Sequence, residues 1–561
     1  MPGMALKTLA LALVATFALL DEADANTVFL QVKNNTGEER ISMEEIQTSL
    51  LSEVEGAFGS ATTRVKEIED QLAPMYAALP KNAHGKLGHT TVRYALHRLF
   101  VQRHGWFVKG LHGTMGSNRS NVSSTVGLLK EQVPAYIQGL FEQRLNGTGF
   151  GIHEMSVLAA TIEHLVHNEA VKRLSDALRL QNLLPTDMLT LDQVESALDM
   201  YMAAYIIGEN LGNMTYDQAM WMLEDMPYVC AAWNDTQEFV RSVRRKITES
   251  DSSADQKASG TFDFAIVARM AVRIGEQFGI FQDKKCQQMK EGLLEFEDKM
   301  PGRVRLSRFW KSALDGEWQF QESKGYLKQL GALDESNLEN PRVIIPNYMS
   351  STSNCLASSS FYSVCCHDEC EGLMGHLEQE IAAPEANAER IIDLVSKLSS
   401  TTVAAPRTLS QDLILKLNQI AIEHGGTVQI HGRLFSQWMH HAFPRDCPYP
   451  HVTGTTNPLT PDEWLAATGE EGVASHEEIK HHIEKNLNNP NSFEEDPLPW
   501  VHEEELLFHR PARAQKPFET TPLVRNGVIF SALAAFAFSI LKFAVSLSKE
   551  GPGKKHEKHL V

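Results

Sequence analysis

The stretch Leu293–Trp310, LLEFEDKMPGRVRLSRFW, constrains the chain more than any other. Its first apolar residues recur at helical spacing, Pro301 and Gly302 turn the chain, Val304-Arg305-Leu306 reads as a short extended triplet, and a second helical run follows. The same order recurs around Gly85, Asp187 and Gly426. Helix, loop, turn residue, extended triplet and helix is the layout of an EF-hand, in which a glycine is the sixth loop residue and oxygen ligands stand at the first, third, fifth and twelfth. With Gly302 as the sixth residue, those positions hold Glu297, Lys299, Pro301 and Arg308. Gly85 gives Pro80, Asn82, His84 and Thr91; Asp187 gives Asn182, Leu184, Thr186 and Gln193; Gly426 gives Ala421, Glu423, Gly425 and Gly432. No copy has the bidentate acid, so no EF-hand calcium is expected. The alternative is that unrelated helical hairpins share a small vocabulary of turn residues.

Helical periodicity dominates from Ser42, where Glu45 completes a capping box, to Ile247, and there is no sustained period-two alternation. The expected class is mainly α, with two helical domains built from ligandless EF-hand-like units. The polar stretch Thr248–Gly260 reads as the linker between residues 42–247 and 261–485. It leaves two units on each side, as strand pairing between units would require. A polar arm over 26–41 precedes the first domain, and Pro- and Asn-rich residues 486–525 read as a stalk.

Both ends carry membrane-traffic signals. Met1–Ala25 has a single Lys7, an apolar run from Leu9 to Leu20 and a small-x-small exit at Ala23-Asp24-Ala25, the pattern of a cleaved signal peptide. Asn526–Leu547 is apolar over roughly 33 Å of helix, enough to cross a bilayer once, with Lys542 near enough to one end to snorkel. Lys549, Lys554, Lys555 and Lys558 follow it, so the tail at 548–561 is placed in the cytosol and the body in the lumen or outside the cell. Sequons at Asn34, Asn118, Asn121, Asn146, Asn213 and Asn234 all precede the anchor. A formal net charge of −19, from 71 acidic and 52 basic residues, argues against nucleic acid as a partner.

In an oxidising compartment cysteines pair by default, and seven leave one thiol free or pairing between chains. Cys355, Cys365, Cys366, Cys370 and Cys447 are the disulfide candidates; Cys366 and Cys370 share a helical face poorly suited to bridging, which favours longer links to Cys355 or Cys447. The same region could instead offer zinc or copper a set drawn from Cys365, Cys366, Cys370, His376, His431, His440, His441, Cys447 and His451, although neither CxxC nor HExxH occurs. His153, Glu163, His164 and His167 stand on another apolar-rich helix, where hydrogen bonding is the plainer reading than metal ligation. Arg93, His97 and Arg98 lie on a basic helix that reads as a solvated face, or as a contact for phosphate or a partner. No motif supplies a catalytic residue or a cofactor-binding loop.

Three stretches, LPKNAHGKLGHTTVRYALHRLFVQRHGWFVKG, NCLASSSFYSVCCHDECEGLMGHLE and HGRLFSQWMHHAFPRDCPYPHVTGTTNPLTPDEW, resemble a set of large uncharacterised single-pass proteins predicted in dinoflagellate algae. The likeness runs over most of the chain from about Leu79 to Trp464. It implies that the three segments belong to one recurring lumenal unit, and it implies no activity or ligand. The expectation is a type I single-pass membrane glycoprotein whose helical ectodomain binds a protein or glycan partner or has a structural role. The alternative is an endomembrane or surface enzyme using the Cys/His segments as a metal or thiol site.

Overall fold

A computed structural model describes residues 61–111, 149–251, 260–297, 299–311, 319–356, 358–359, 361–487 and 498–507. The expected signal peptide and arm, the sequons at Asn34, Asn118, Asn121 and Asn146, and the apolar segment 526–547 lie outside the described residues. Among the described residues no helix is long and apolar enough to cross a membrane.

The chain is mainly helical. α1 (Ala61–Ala78) and α2 (His89–His104) flank the Gly85 turn, and α3 (Ile152–Leu180) and α4 (Leu191–Ile207) flank the Asp187 turn. α5 (Tyr216–Val229), α6 (Trp233–Asp251) and α7 (Phe264–Glu295) lead to the Gly302 turn. α8 (Glu369–Ile381), α9 (Ala388–Lys397), α10 (Gln411–Glu423) and α11 (Arg433–Ala442) follow towards the C-terminus. Local sequence sets the starts. Thr190 and Thr215 each form a capping box with the glutamine three residues on, and Ser410 accepts from the Leu413 N–H. Gly425 and Gly426, at φ 77° and 107°, end α10 in backbone that a side chain would strain.

All four turns are followed by short antiparallel pairing. Leu87 bridges Phe150, β2 (Leu189–Thr190) pairs with β3 (Thr261–Phe262), β4 (Arg303–Arg305) with β6 (Arg342–Ile344), and β9 (Val428–Gln429) with β8 (Glu385–Ala386). β5 (Leu333–Asp334) lies on the other edge of β6, and β1 (Trp106–Val108) pairs with β7 (Tyr362–Val364). The expectation that the four turns pair with one another is corrected. Each pairs with a different short strand that itself opens onto a helix: Phe150 onto α3, β3 onto α7, β6 onto Ile345–Met349 and β8 onto α9. Three of these partners follow a left-handed residue, Gly149, Gly260 or Ala382. At Ala382 no glycine marks the turn, so the pattern is denser than its glycines suggest.

The expected linker begins as helix, since α6 runs to Asp251, and residues 252–259 lie outside the described residues. Packing also crosses the boundary expected at 248–260. β2 pairs with β3 across it, and α3 and α6 both pack on α7. The described residues from Lys66 onward belong to one unit.

The stretch Leu293–Trp310 lies in the core. Leu293, Val304, Leu306, Phe309 and Trp310 are buried in a cluster with Tyr326, Val343 and Tyr348. Each such side chain contributes on the order of 2 kcal/mol by leaving water. A second cluster gathers Leu377, Ile391, Val395, Leu417, Phe435 and Trp438 from α8–α11.

The stalk expected over 486–525 is corrected in part. Asn486 and Leu487 end a helix that begins at His476, and residues 498–507 are docked as an extended strap. Arg433 holds the strap by donating to the Val501 and Glu503 carbonyls, each at 2.6 Å, while the Glu504 carboxylate accepts from the Leu434 N–H at 3.0 Å. An extended strap outside any sheet leaves carbonyls without ladder partners, and a buried guanidinium satisfies them.

Candidate functional site

The two Cys/His-rich segments meet, and disulfides join them. Neighbouring residues in extended backbone point to opposite faces, so the vicinal Cys365 and Cys366 that follow β7 take different partners. Cys355–Cys365 closes the small loop in which Leu356 bridges Val364, and Cys366 reaches Cys286 on α7. Cys370, in the first turn of α8, bonds Cys447 beyond α11 with Cα atoms 4.6 Å apart. All five expected candidates are bonded; Cys370 takes the expected longer link to Cys447, whereas Cys366 bonds neither Cys355 nor Cys447 but Cys286. Cys286 is the partner the sequence reading missed. The available signal is its place on α7, four and seven residues before buried Lys290 and Leu293, which turns it inward. Cys230 is the free thiol. Links across 80 and 77 residues each restrict the unfolded chain by about 4 kcal/mol in the chain-entropy account.

Charged contacts surround the Cys370–Cys447 bridge. Lys290 Nζ donates to Glu369 Oε1 at 2.6 Å and to Asp446 Oδ1 at 2.8 Å. The Ser400 and Thr402 hydroxyls donate to Asp446 Oδ2 at 2.5 and 2.6 Å, and Thr401 donates to Glu369 Oε2 at 2.5 Å. Burial alone would raise the pKa of Asp446, but Lys290 and the two hydroxyls outweigh it and hold the carboxyl below its ordinary value. One turn further along α8, Arg98 of α2 is 1 % exposed and pairs with both Glu371 and Glu378, while His431 Nε2 lies 2.7 Å from Glu378 Oε1. Arg98 is therefore neither a solvated residue nor a free phosphate contact. Asp368 caps α8 by accepting from the Cys370 N–H at 2.9 Å; burial, then the Glu371 charge, push it up to about 7.

This arrangement fastens, and its chemistry is limited. The space bounded by Lys290, His367, Glu369, Arg445 and Asp446 amounts to about 10 Å³, room for one water, whereas small-molecule sites run to roughly 300–1,000 Å³. The Ser400, Thr401 and Thr402 hydroxyls donate to carboxylates and that of Ser350 to the Pro346 carbonyl, and the nearby cysteines have no thiol. The proposed zinc or copper set is not one site. Cys365, Cys366, Cys370 and Cys447 are consumed in disulfides, His376 is exposed, the His440 Nδ1–H donates to the Cys447 carbonyl at 2.7 Å, His451 donates to the Gly331 carbonyl at 2.7 Å, and the His441 ring lies against Trp500. Among the described residues no three His, Cys, Asp or Glu side chains gather as a metal would require.

These buried histidines predict acid lability. Burial first, helped by neighbouring positive charge, lowers His440 to about 3 and His441 to about 4, and burial also lowers His431 and His451. A folded-state pKa below the unfolded value of about 6.5 gives stability that is present above pH 6.5 and lost as pH falls towards 3. Asp368, with a raised pKa, opposes this between pH 7 and 4. The expected result is a net loss of about 3 kcal/mol between pH 7 and pH 4 in urea titrations. His440→Gln, which keeps a donor for the Cys447 carbonyl, should flatten the profile; an unchanged slope would remove His440 from the account.

The other histidine cluster is divided among neighbours. Glu163, fully buried, lies 3.2 Å from His104 Nε2 and 3.4 Å from Arg103, and His167 Nε2 lies 3.1 Å from Glu276 on α7. Burial would raise Glu276, but the His167 hydrogen bond and charge bring it down to about 2. His153 meets Glu69 at 2.5 Å and His164 meets Asn168 at 3.0 Å. Glu163 and His167 thus join α3 to α2 and α7.

Comparison of the chain with protein-family models, curated proteins and solved structures finds no match to any of the three.

Proposed function

We propose that the chain is a type I single-pass membrane glycoprotein whose disulfide-stapled helical ectodomain binds a protein or glycan partner or has a structural role. The observation that carries this reading is the pairing of six of seven cysteines, Cys286–Cys366, Cys355–Cys365 and Cys370–Cys447, around the two Cys/His segments. Such use of cysteine suits an oxidising lumen or the cell exterior. It also favours a stapled surface over a thiol or metal enzyme, because the thiols that chemistry would need are bonded to one another. The sequons within the described residues, Asn213 and Asn234, are both exposed.

The paired turns are read as EF-hand-like units whose loops use protein groups where a metal would sit. Lys81 Nζ donates to the Tyr76, Ala77 and Leu79 carbonyls at the end of α1. At the Gly302 turn, Glu297 accepts from the Gly302 N–H at 2.5 Å and pairs with Arg445 at 2.7 Å. Lys81 thus caps the end of the helix ahead of its loop, and Arg445 balances Glu297 at the first loop position of the Gly302 turn.

The test is expression of the full chain in a secretory cell. Protease added to intact microsomes should shorten the protein only by its C-terminal tail, and enzymatic deglycosylation should increase gel mobility, with Asn213→Gln and Asn234→Gln each removing one step. A body digested in intact microsomes, or a mobility that deglycosylation leaves unchanged, overturns the topology.

A further inference from the structure

Between Arg179 and Arg241 the chain holds ten aspartates and glutamates and no lysine, arginine or histidine. α5 lies within that run. It packs on α4 and α6 and buries Ala219, Met222 and Met226. On the opposite side, at the spacing that puts residues three, four and seven apart on one face, stand Asp217, Trp221, Glu224, Asp225 and Tyr228, all exposed. Trp221 is 65 % and Tyr228 89 % exposed, so most of each side chain is left unused by the fold. The charges on this face are unused as well. Glu195, Asp199, Asp235 and Glu238 of the same run pair with Arg241, Arg244, Arg245 or Lys285, whereas Asp217, Glu224 and Asp225 meet no cation among the described residues.

We propose that this face of α5 docks a lysine- or arginine-rich segment of a partner protein, with arginine preferred. The two kinds of side chain on it select the same ligand. Carboxylates attract a cation from a distance, and the negative faces of an indole and a phenol ring hold it at contact. A guanidinium adds planar stacking and bidentate bonding to carboxylate, which an ammonium lacks. Other occupants fit worse. The three carboxylates repel anionic headgroups and nucleic acid, and a two-fold contact of α5 with its own counterpart would set acid against acid. From Asp217 to Tyr228 the strip runs about 16 Å, the length of about five residues of extended chain, so a short linear segment covers it. The inference gives a partner class to the binding role proposed above and rests on it.

The test is fluorescence anisotropy of the purified full chain in detergent with a fluorescein-labelled peptide of alternating arginine and glycine, compared with its lysine and glutamine versions. The expected result is saturable binding that weakens as salt rises, is tighter for arginine than for lysine and is absent for glutamine. Trp221→Ala with Tyr228→Ala, which leaves the charge unchanged, should weaken binding about tenfold, as should Asp217→Asn, Glu224→Gln and Asp225→Asn together. Glu470→Gln, Glu471→Gln and Glu477→Gln remove the same charge at exposed positions elsewhere and should weaken it by less than about twofold. All the substituted side chains are exposed, and an unchanged urea midpoint checks that each variant is folded. Equal weakening by the two acid triples, or no effect of the aromatic pair, overturns the proposal, because the peptide then senses net charge alone. Binding of neutral glycans that Trp221→Ala abolishes, with no binding of the peptide, overturns the choice of occupant. The assay needs no orientation in a membrane, so its failure removes this partner and leaves the topology to the microsome experiment.

Discussion

Gly302→Ala is expected to lower stability by about 3 kcal/mol or more. Gly302 has φ 79°, where an L side chain is strained, and a Cβ built there would lie 2.0 Å from the carbonyl oxygen of Pro444 and 2.7 Å from its carbon. Those are backbone atoms, so no rotamer change relieves the clash. Pro444 is also followed by residues that cannot shift cheaply: Arg445 pairs with Glu297, Asp446 with Lys290, and Cys447 is bonded to Cys370. Gly292, on α7, is the control. Nothing lies within 4 Å of its would-be Cβ, so Gly292→Ala should be neutral or stabilising by up to about 1 kcal/mol from helix propensity. Urea unfolding of both variants with disulfides intact measures the difference. A Gly302→Ala loss below about 1 kcal/mol would refute the close approach.

Arg98→Met is expected to cost about 3–5 kcal/mol, the usual penalty for removing one member of a buried ion pair. The substitution keeps apolar volume but leaves Glu378, 1 % exposed, and Glu371 without their guanidinium. It also removes the cation over the Tyr94 ring, 5.2 Å from its centroid. Glu378 should respond by taking up a proton, since burial raises its pKa and Arg98 is the first group that lowers it. The loss should therefore shrink on acidification through the carboxylate range. Arg98→Met with Glu378→Gln should recover part of it, because the amide carries no charge to bury. A double variant no more stable than the single one would mean that Arg98 acts through packing alone.

Much of the helical framework is legible along the chain. The caps at Ser410 and Thr190, the stop at Gly425-Gly426 and the short strands after Gly85, Asp187, Gly302 and Gly426 follow from local chemistry, which a segment carries wherever it is placed. The strands' partners are not local. β4 pairs with β6 rather than with another glycine-marked unit, and nothing in two or three residues of extended backbone specifies which strand they meet. Arg98 shows the same limit within one helix. Its sequence neighbours give it a basic, amphipathic setting, and only the arrival of α8 turns that face into a buried ion pair.

The stretch Leu293–Trp310 divides along this line. Its sequence alone determined a helix, a turn that needs glycine and a short strand, because those depend on backbone geometry and apolar spacing within a few residues. It also determined that Lys299, Pro301 and Arg308 stand where a calcium loop has oxygen ligands. Tertiary structure decided what Glu297 binds and why Gly302 tolerates no side chain. Arg445 and the Pro444 carbonyl come from residues more than a hundred positions away, brought there by the folding of α8–α11 and the Cys370–Cys447 bond. A contact between distant residues is fixed by packing of whole elements, and neither partner's neighbours along the chain record it.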